Sequence, residues 1–141
     1  MSEGNIELLR HALEAYNTRD VEELISYCDP GIEFHSAYAA IGGAVYRGHD
    51  GMRRWHRDVR DVWGDATRLE PEAYFDLGEN TLAFYTLRGR GQRSGLEVAM
   101  RNALTATWRD GRMVQVRAYA HCEDALSDLG VSEDELKPLA P

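Results

Sequence analysis

Glu33 and His35, two residues apart, are the side chains of this sequence best suited to acid–base chemistry. They fall in a segment with strand character, where residues i and i+2 point to the same face. A histidine titrates near neutral pH and can take a proton from a carbon acid or from water. Glu33 could orient it. The sequence leaves two alternatives open: a hydrogen-bonded histidine without catalytic duty, and an exposed carboxylate at a strand edge.

His56 is a second candidate for acid–base chemistry, and it follows Trp55 at the border of an apolar helical stripe. Two histidines in different environments could divide the acid and base roles. Four arginines surround His56 in the sequence, so a solvated surface position stays open. Flat walls for a ligand could come from Trp55, Tyr16, Tyr38 and Trp108, although aromatic residues at regular spacing more often belong to the core.

Asn102 is the one polar side chain in an alternating set with Met100, Leu104, Ala106 and Trp108. If this set faces a pocket, the amide offers a hydrogen bond to a ligand carbonyl, and Met100 contacts the same ligand. The alternative is that a neighbouring strand or a buried water molecule satisfies the amide.

Other motifs for known chemistry fail on spacing. The glycine-rich stretch 89–95 (GRGQRSG) lacks the ending of a phosphate-binding loop and joins two strands. The Glu33-x-His35 pair lacks further ligands at metal-site spacing, so neither a metal nor a cofactor is expected. Cys28 and Cys122 are far apart and are interpreted as small buried hydrophobic residues.

Three helices must position these side chains in the first half of the chain. Ile6, Leu9, Leu13 and Tyr16 recur at helical spacing, which predicts a helix over residues 5–17. Residues 20–23 (DVEE) have the form of a capping box and predict a short second helix. A third helix is predicted from residue 49 to about residue 64, with an apolar stripe at positions 52, 55, 59 and 62.

The second half of the chain changes to a period of two, which predicts four antiparallel strands in a meander. A short earlier strand is expected at 32–36, a loop around Gly42 and Gly43 could form a lid, and residues 123–129 could form a terminal helix. Helices first and strands after indicate an α+β fold, with helices covering one face of a curved sheet.

Length and composition favour a single domain over residues 1–141. A net charge of −8 argues against nucleic acid and anionic membranes as partners. No apolar run approaches the roughly 20 residues of a membrane span, and the start lacks the features of a signal peptide, so a cytoplasmic location is expected.

Three segments resemble the SnoaL-like branch of the nuclear-transport-factor-two-like superfamily: 29–35 (DPGIEFH), 46–51 (YRGHDG) and 108–114 (WRDGRMV). The resemblance covers nearly the whole chain. It implies a cone-shaped curved antiparallel sheet wrapped around N-terminal helices, with one pocket. It also implies a homodimer formed through the open sheet face.

The resemblance to ketosteroid isomerases within this superfamily implies roles for particular residues. It places His35 where those enzymes hold an aspartate base, and His56 in place of a pocket tyrosine. Their oxyanion-hole donors correspond to Ala12 and Leu104, which can donate no hydrogen bond, so steroid-type isomerisation is not expected.

The expected function is binding of a small apolar carbonyl-bearing metabolite, with cofactor-independent isomerase, cyclase or dehydratase chemistry at a histidine base. The expected site comprises the catalytic pair His35 and His56 and the binding residues Tyr16, Glu33, Tyr38, Trp55, Met100 and Asn102. One alternative is a domain that binds a ligand without chemistry. The other is a protein-interaction dimer whose cavity is filled by Trp55, Phe84 and Trp108.

Overall fold

The chain begins with two consecutive helices. In the computed structural model, which describes residues 2–37, 45–64, 67–90 and 95–141, α1 spans Ser2–Asn17 and α2 spans Val21–Ser26. The predicted capping box is present, since the Asp20 carboxylate accepts a hydrogen bond from the Glu23 backbone N–H at 3.0 Å. The predicted stripe on α1 is buried, because side chains at three- and four-residue steps share one face of a helix.

The third helix, α3, spans Gly48–Trp63 and packs against the sheet through the side chains of Met52, Trp55 and Val59. Gly48 opens it with a φ of 72°, and a Cβ there would lie 3.3 Å from the Pro30 carbonyl oxygen. Val62 lies on this helix as predicted, but its side chain is exposed, so the buried part of the stripe ends at Val59.

Six strands form one sheet in the order β2-β1-β6-β5-β4-β3. The predicted meander is confirmed for the last four strands, which pair antiparallel in sequence order. The first strand extends this meander by pairing parallel with the last one, and the second strand pairs antiparallel with the first at the edge of the sheet. The strands are β1 Cys28–His35, β2 Val45–Arg47, β3 Arg68–Leu77, β4 Asn80–Arg90, β5 Glu97–Arg109 and β6 Arg112–Tyr119.

The two faces of the sheet carry separate apolar clusters. The inner face packs against α1, α2 and α3 and forms the larger cluster. On the outer face, Phe75, Phe84 and Ala103 pack against the predicted terminal helix, which is confirmed as α4 (Cys122–Leu129). Phe84 therefore points away from the inner face and cannot fill a cavity there. None of the helices in the described ranges is long and apolar enough to cross a bilayer.

Candidate ligand-binding site

A cavity lies between the helices and the inner face of the sheet. Its volume is about 100 Å³, several times the roughly 10–15 Å³ that a single water molecule needs. Aliphatic side chains from helices and strands make up much of the wall, among them Leu9, Leu13, Met52, Val59, Leu104 and Val116. A partly enclosed apolar cavity shields much of an apolar guest from water, and its size suits a molecule of about one ring.

Aromatic side chains form one side of the cavity. The ring of Trp55 lies 4.6 Å from the ring of Phe34 and 5.7 Å from that of Tyr16, measured between centroids. All three residues line the cavity, and Trp63 joins them from the end of α3. Ring faces of this kind offer a planar ligand a large contact area at little cost in side-chain entropy.

Two hydroxyl groups meet at the cavity wall. The Tyr16 hydroxyl lies 2.8 Å from Thr67 Oγ1, and the two residues are 5% and 3% exposed. Burial raises the pKa of the Tyr16 phenol, while the hydrogen bond to Thr67 and the charge of Arg19 act against this rise. Tyr16 therefore remains a neutral phenol at physiological pH and offers a ligand hydrogen bonding without charge.

Arg19 holds the backbone around this hydroxyl pair. It occupies the turn between α1 and α2 in the left-handed region, with a φ of 65°. Its guanidinium donates to the Tyr16 carbonyl at 3.1 Å and to the Thr67 carbonyl, and it lies 5.6 Å from the centre of the Tyr16 ring. One side chain thus ties the end of α1 to the start of β3 at the point where the two hydroxyls meet.

Tyr16 and Trp55 lie where the sequence placed them, in the cavity wall, and their contact with a ligand stays a prediction. Ala12 and Leu104 also line the cavity. Because neither carries a donor, the two positions that the resemblance assigned to oxyanion-hole residues supply only apolar surface.

Glu33 and His35 are not in the part of the cavity wall that the structure describes. Phe34 lines the cavity, and neighbouring residues on a strand point to opposite faces, so Glu33 and His35 lie on the outer face of the sheet. The expectation that both share one face is confirmed, since His35 Nε2 is 3.4 Å from Glu33 Oε1. The same nitrogen is 3.4 Å from Gln115 Nε2. The expected position of this pair inside the pocket is therefore wrong.

His56 is buried, with 8% of its surface exposed, so the surface alternative is also wrong. Its ring meets the Tyr16 ring edge-on, with centroids 6.4 Å apart and an interplanar angle of 76°. It is absent from the described lining, and its ring contacts Tyr16, which belongs to that lining. A direct catalytic role for His56 stays a prediction.

The remaining expected binding residues lie outside the described lining. Asn102 is 1% exposed and donates from Nδ2 to the Ala120 carbonyl at 3.0 Å, which agrees with the structural alternative left open for its amide. Met100 packs partly buried against the inner cluster. Tyr38 and the predicted lid around Gly42 and Gly43 fall outside the described residues.

Within the described ranges, no group of three or more histidine, cysteine, aspartate or glutamate residues could hold a metal ion. Cys28 and Cys122 are buried free thiols, as their interpretation as small hydrophobic residues requires. Burial raises the pKa of the Cys28 thiol to about 12, so this thiol stays protonated and unreactive at neutral pH.

Sequence reasoning missed four polar residues at the site: Arg19, Ser36, Thr67 and Tyr85. The cavity is lined by Ser36, Thr67 and Tyr85. Arg19 donates hydrogen bonds to the backbone carbonyls of Tyr16 and Thr67, whose hydroxyls form the pair. Thr67 lies 51 positions from Tyr16 in the chain, so no local pattern pairs them. The conformation of Arg19 had a weak signal, because a Thr-Arg-Asp break between two helical stripes indicates a tight turn.

Comparisons with known proteins found a matching family model and solved structures of similar fold. The family model for the SnoaL-like domain matches residues 9–116. The fold is similar to that of an NTF2-like protein of unknown function from Burkholderia pseudomallei, at 20% identity and a TM-score of 0.77, covering 90% of this chain and 97% of that one. A comparison with curated proteins gave no significant match.

Two further similar structures were determined with small organic molecules. TerC, co-crystallised with polyporic acid, is 24% identical at a TM-score of 0.75, with 89% of this chain and 97% of that one covered. A Catenulispora acidiphila protein with a ketosteroid isomerase-like fold, in complex with trimethylamine, is 14% identical at a TM-score of 0.72. That alignment covers 91% of this chain and 95% of the other.

Proposed function

The chain belongs to the SnoaL-like domain family, and we propose that it binds a small, largely apolar metabolite in the cavity between its helices and its sheet. The observation that carries this proposal is the wall itself, in which aromatic rings and aliphatic side chains enclose a space of about one ring. The small organic molecules in the TerC and Catenulispora structures support the same use of the fold.

A direct test uses 2-phenylpropene, a one-ring hydrocarbon without hydrogen-bonding atoms. Burial of about 200 Å² of apolar surface at about 25 cal/mol/Å² contributes about 5 kcal/mol, so a dissociation constant between about 0.1 and 1 mM is expected. Titration followed by NMR should shift the methyl signals of Met52 and Leu104 in the cavity wall. The methyls of Leu126 and Leu129, in the outer cluster, serve as internal controls. Shifts confined to the outer cluster would contradict the proposal.

Catalysis is the second candidate, and the buried contact between His56 and Tyr16 favours it. An isomerase, cyclase or dehydratase of the expected kind needs a base that removes a proton next to a carbonyl group. His56 is the histidine nearer to the cavity, whereas His35 faces the opposite side of the sheet. For a catalytic protein, His56 is therefore the candidate base, and its ring must come within hydrogen-bond reach of a substrate bound beside Tyr16.

Exchange of the methyl protons of acetophenone in D₂O separates binding from catalysis. A base removes a methyl proton to leave an enolate, which then takes a deuteron from the solvent. For a protein that only binds, the rate should equal that of buffer with the same concentration of imidazole. Acceleration that is lost in His56→Gln and kept in His35→Gln would establish the second candidate. Loss in His35→Gln alone would instead reinstate the base expected from the sequence.

The homodimer expected through the outer sheet face also stays a prediction. Glu33, His35, Arg47 and Gln115 present partly exposed polar groups on that face, where Arg47 Nε lies 4.0 Å from Glu33 Oε2. Sedimentation equilibrium is the measurement, and a monomer at micromolar concentration would contradict the prediction.

A further inference from the structure

The hydroxyls of Tyr16 and Thr67 hold one more proton than their mutual hydrogen bond uses. Each hydroxyl has one proton to donate, and the bond of 2.8 Å between the oxygens consumes one of the two, whichever group donates. Within the described ranges of the chain, each of these hydroxyl groups bonds only to the other. Among the described residues, one O–H group of this pair is therefore left without an acceptor, and both residues that could carry it line the cavity.

A buried hydroxyl donor at this position needs a hydrogen-bond acceptor. Both residues are almost fully buried, and both line the cavity. Buried donors without an acceptor are rare in native structures, whereas oxygen atoms with an unused lone pair are tolerated more often. The partner that the pair lacks is thus an acceptor atom supplied from within the cavity.

We infer that the Tyr16–Thr67 pair is the polar anchor of the ligand, and that the ligand carries a carbonyl or similar acceptor oxygen on an otherwise apolar frame. This inference rests on the proposed binding function and specifies its ligand class. The pair is neutral, so it favours an uncharged acceptor. The aromatic wall of Trp55 and Phe34, beside Tyr16, holds the apolar part of the ligand.

Arg19 fixes the geometry of this anchor before a ligand arrives. Its guanidinium donates to the backbone carbonyls of both Tyr16 and Thr67, so the two hydroxyls are carried on backbone segments that one side chain ties together. A preorganised donor costs little reorganisation when the acceptor binds. Arg19 is a positioning residue and does not itself line the described cavity.

The test compares acetophenone with 2-phenylpropene, which replaces the carbonyl oxygen by a methylene group of similar shape. The measured quantity is the ratio of their two dissociation constants, obtained by NMR titration. In Tyr16→Phe/Thr67→Val the anchor is absent, and the preference for acetophenone should fall about fivefold to tenfold, the value of one net hydrogen bond. Either single variant keeps one proton, so its ratio should fall less. Removing both partners together also leaves no orphaned polar group.

Tyr119→Phe is the matched control, because it removes a phenol that packs in the outer cluster and bonds to Asp128, away from the described cavity lining. Its ratio should equal that of the wild type. An unchanged ratio in the double variant, with 2-phenylpropene still bound, would overturn this inference alone. Failure of both probes to bind the wild type would overturn the proposed function and this inference with it.

The infrared carbonyl stretch of bound acetophenone gives a second readout that does not depend on the double variant folding. In wild-type protein and in Tyr119→Phe the stretch should lie below its value in hexane, because a donated hydrogen bond weakens the C=O bond. A stretch at the hexane value in wild-type protein would contradict the anchor. Circular dichroism checks that each variant keeps its fold.

Discussion

Replacement of Leu104 by tryptophan should weaken binding of 2-phenylpropene at least about tenfold. Leu104 lies in the cavity wall, on the strand that crosses the middle of the inner face. The larger indole would occupy much of a space that holds about one ring. Overpacking of this kind costs about 1–3 kcal/mol of stability, which a domain of ordinary stability tolerates. NMR titration should show an affinity at least about tenfold weaker, equivalent to about 1.4 kcal/mol.

A matched variant on the same strand controls for a general effect of tryptophan. Ala99 lies five positions earlier on β5 and is exposed. Ala99→Trp should leave the dissociation constant of 2-phenylpropene within about twofold of the wild-type value, well under the tenfold that corresponds to 1.4 kcal/mol. If Leu104→Trp folds and still binds the probe with wild-type affinity, the ligand occupies another part of the molecule and the proposed site is wrong.

Periodicity predicted most of the elements because it reports burial directly. The stripe on α1 and the alternation along β4 and β5 each bury one face, so the local pattern and the tertiary contacts agree. The partnership of β1 with β6 could not be predicted in this way. It joins residues about 80 positions apart in the chain, and no local pattern encodes which strand a short parallel strand selects.

The resemblance led to a wrong position for His35, although the alternation of apolar and polar residues in the strand indicated the right one. Ile32 and Phe34 are apolar and alternate with Glu33 and His35, which is typical of a strand with one face in the core and one toward solvent. This pattern already favours Phe34 on the inner face, as the structure has it. The alignment with an enzyme base placed His35 inside instead. The polar anchor escaped prediction for a different reason, since Thr67 and Tyr16 meet only in the folded chain.

Loss of Trp108 should cause the largest change in stability among single substitutions near the site. Trp108 belongs to the inner cluster, and its indole Nε1–H donates to Thr81 Oγ1 at 2.9 Å, where Thr81 is 0% exposed. Trp108→Ala removes a buried aromatic ring, and the free energy of unfolding should fall by about 3–5 kcal/mol in urea titrations followed by circular dichroism.

A double-mutant cycle separates the hydrogen bond of Trp108 from its packing. Trp108→Phe keeps much of the ring but leaves the buried Thr81 hydroxyl without its donor, at an expected cost of about 1–3 kcal/mol. Thr81→Val in the same chain removes that orphaned hydroxyl, so the double variant should regain part of the loss, with a coupling energy of about 1 kcal/mol. Additive effects of the two substitutions would show that the hydrogen bond makes no net contribution to stability.

Because Trp108 does not belong to the described lining, Trp108→Phe should bind 2-phenylpropene as the wild type does. This result would distinguish support of the cavity from contact with its ligand.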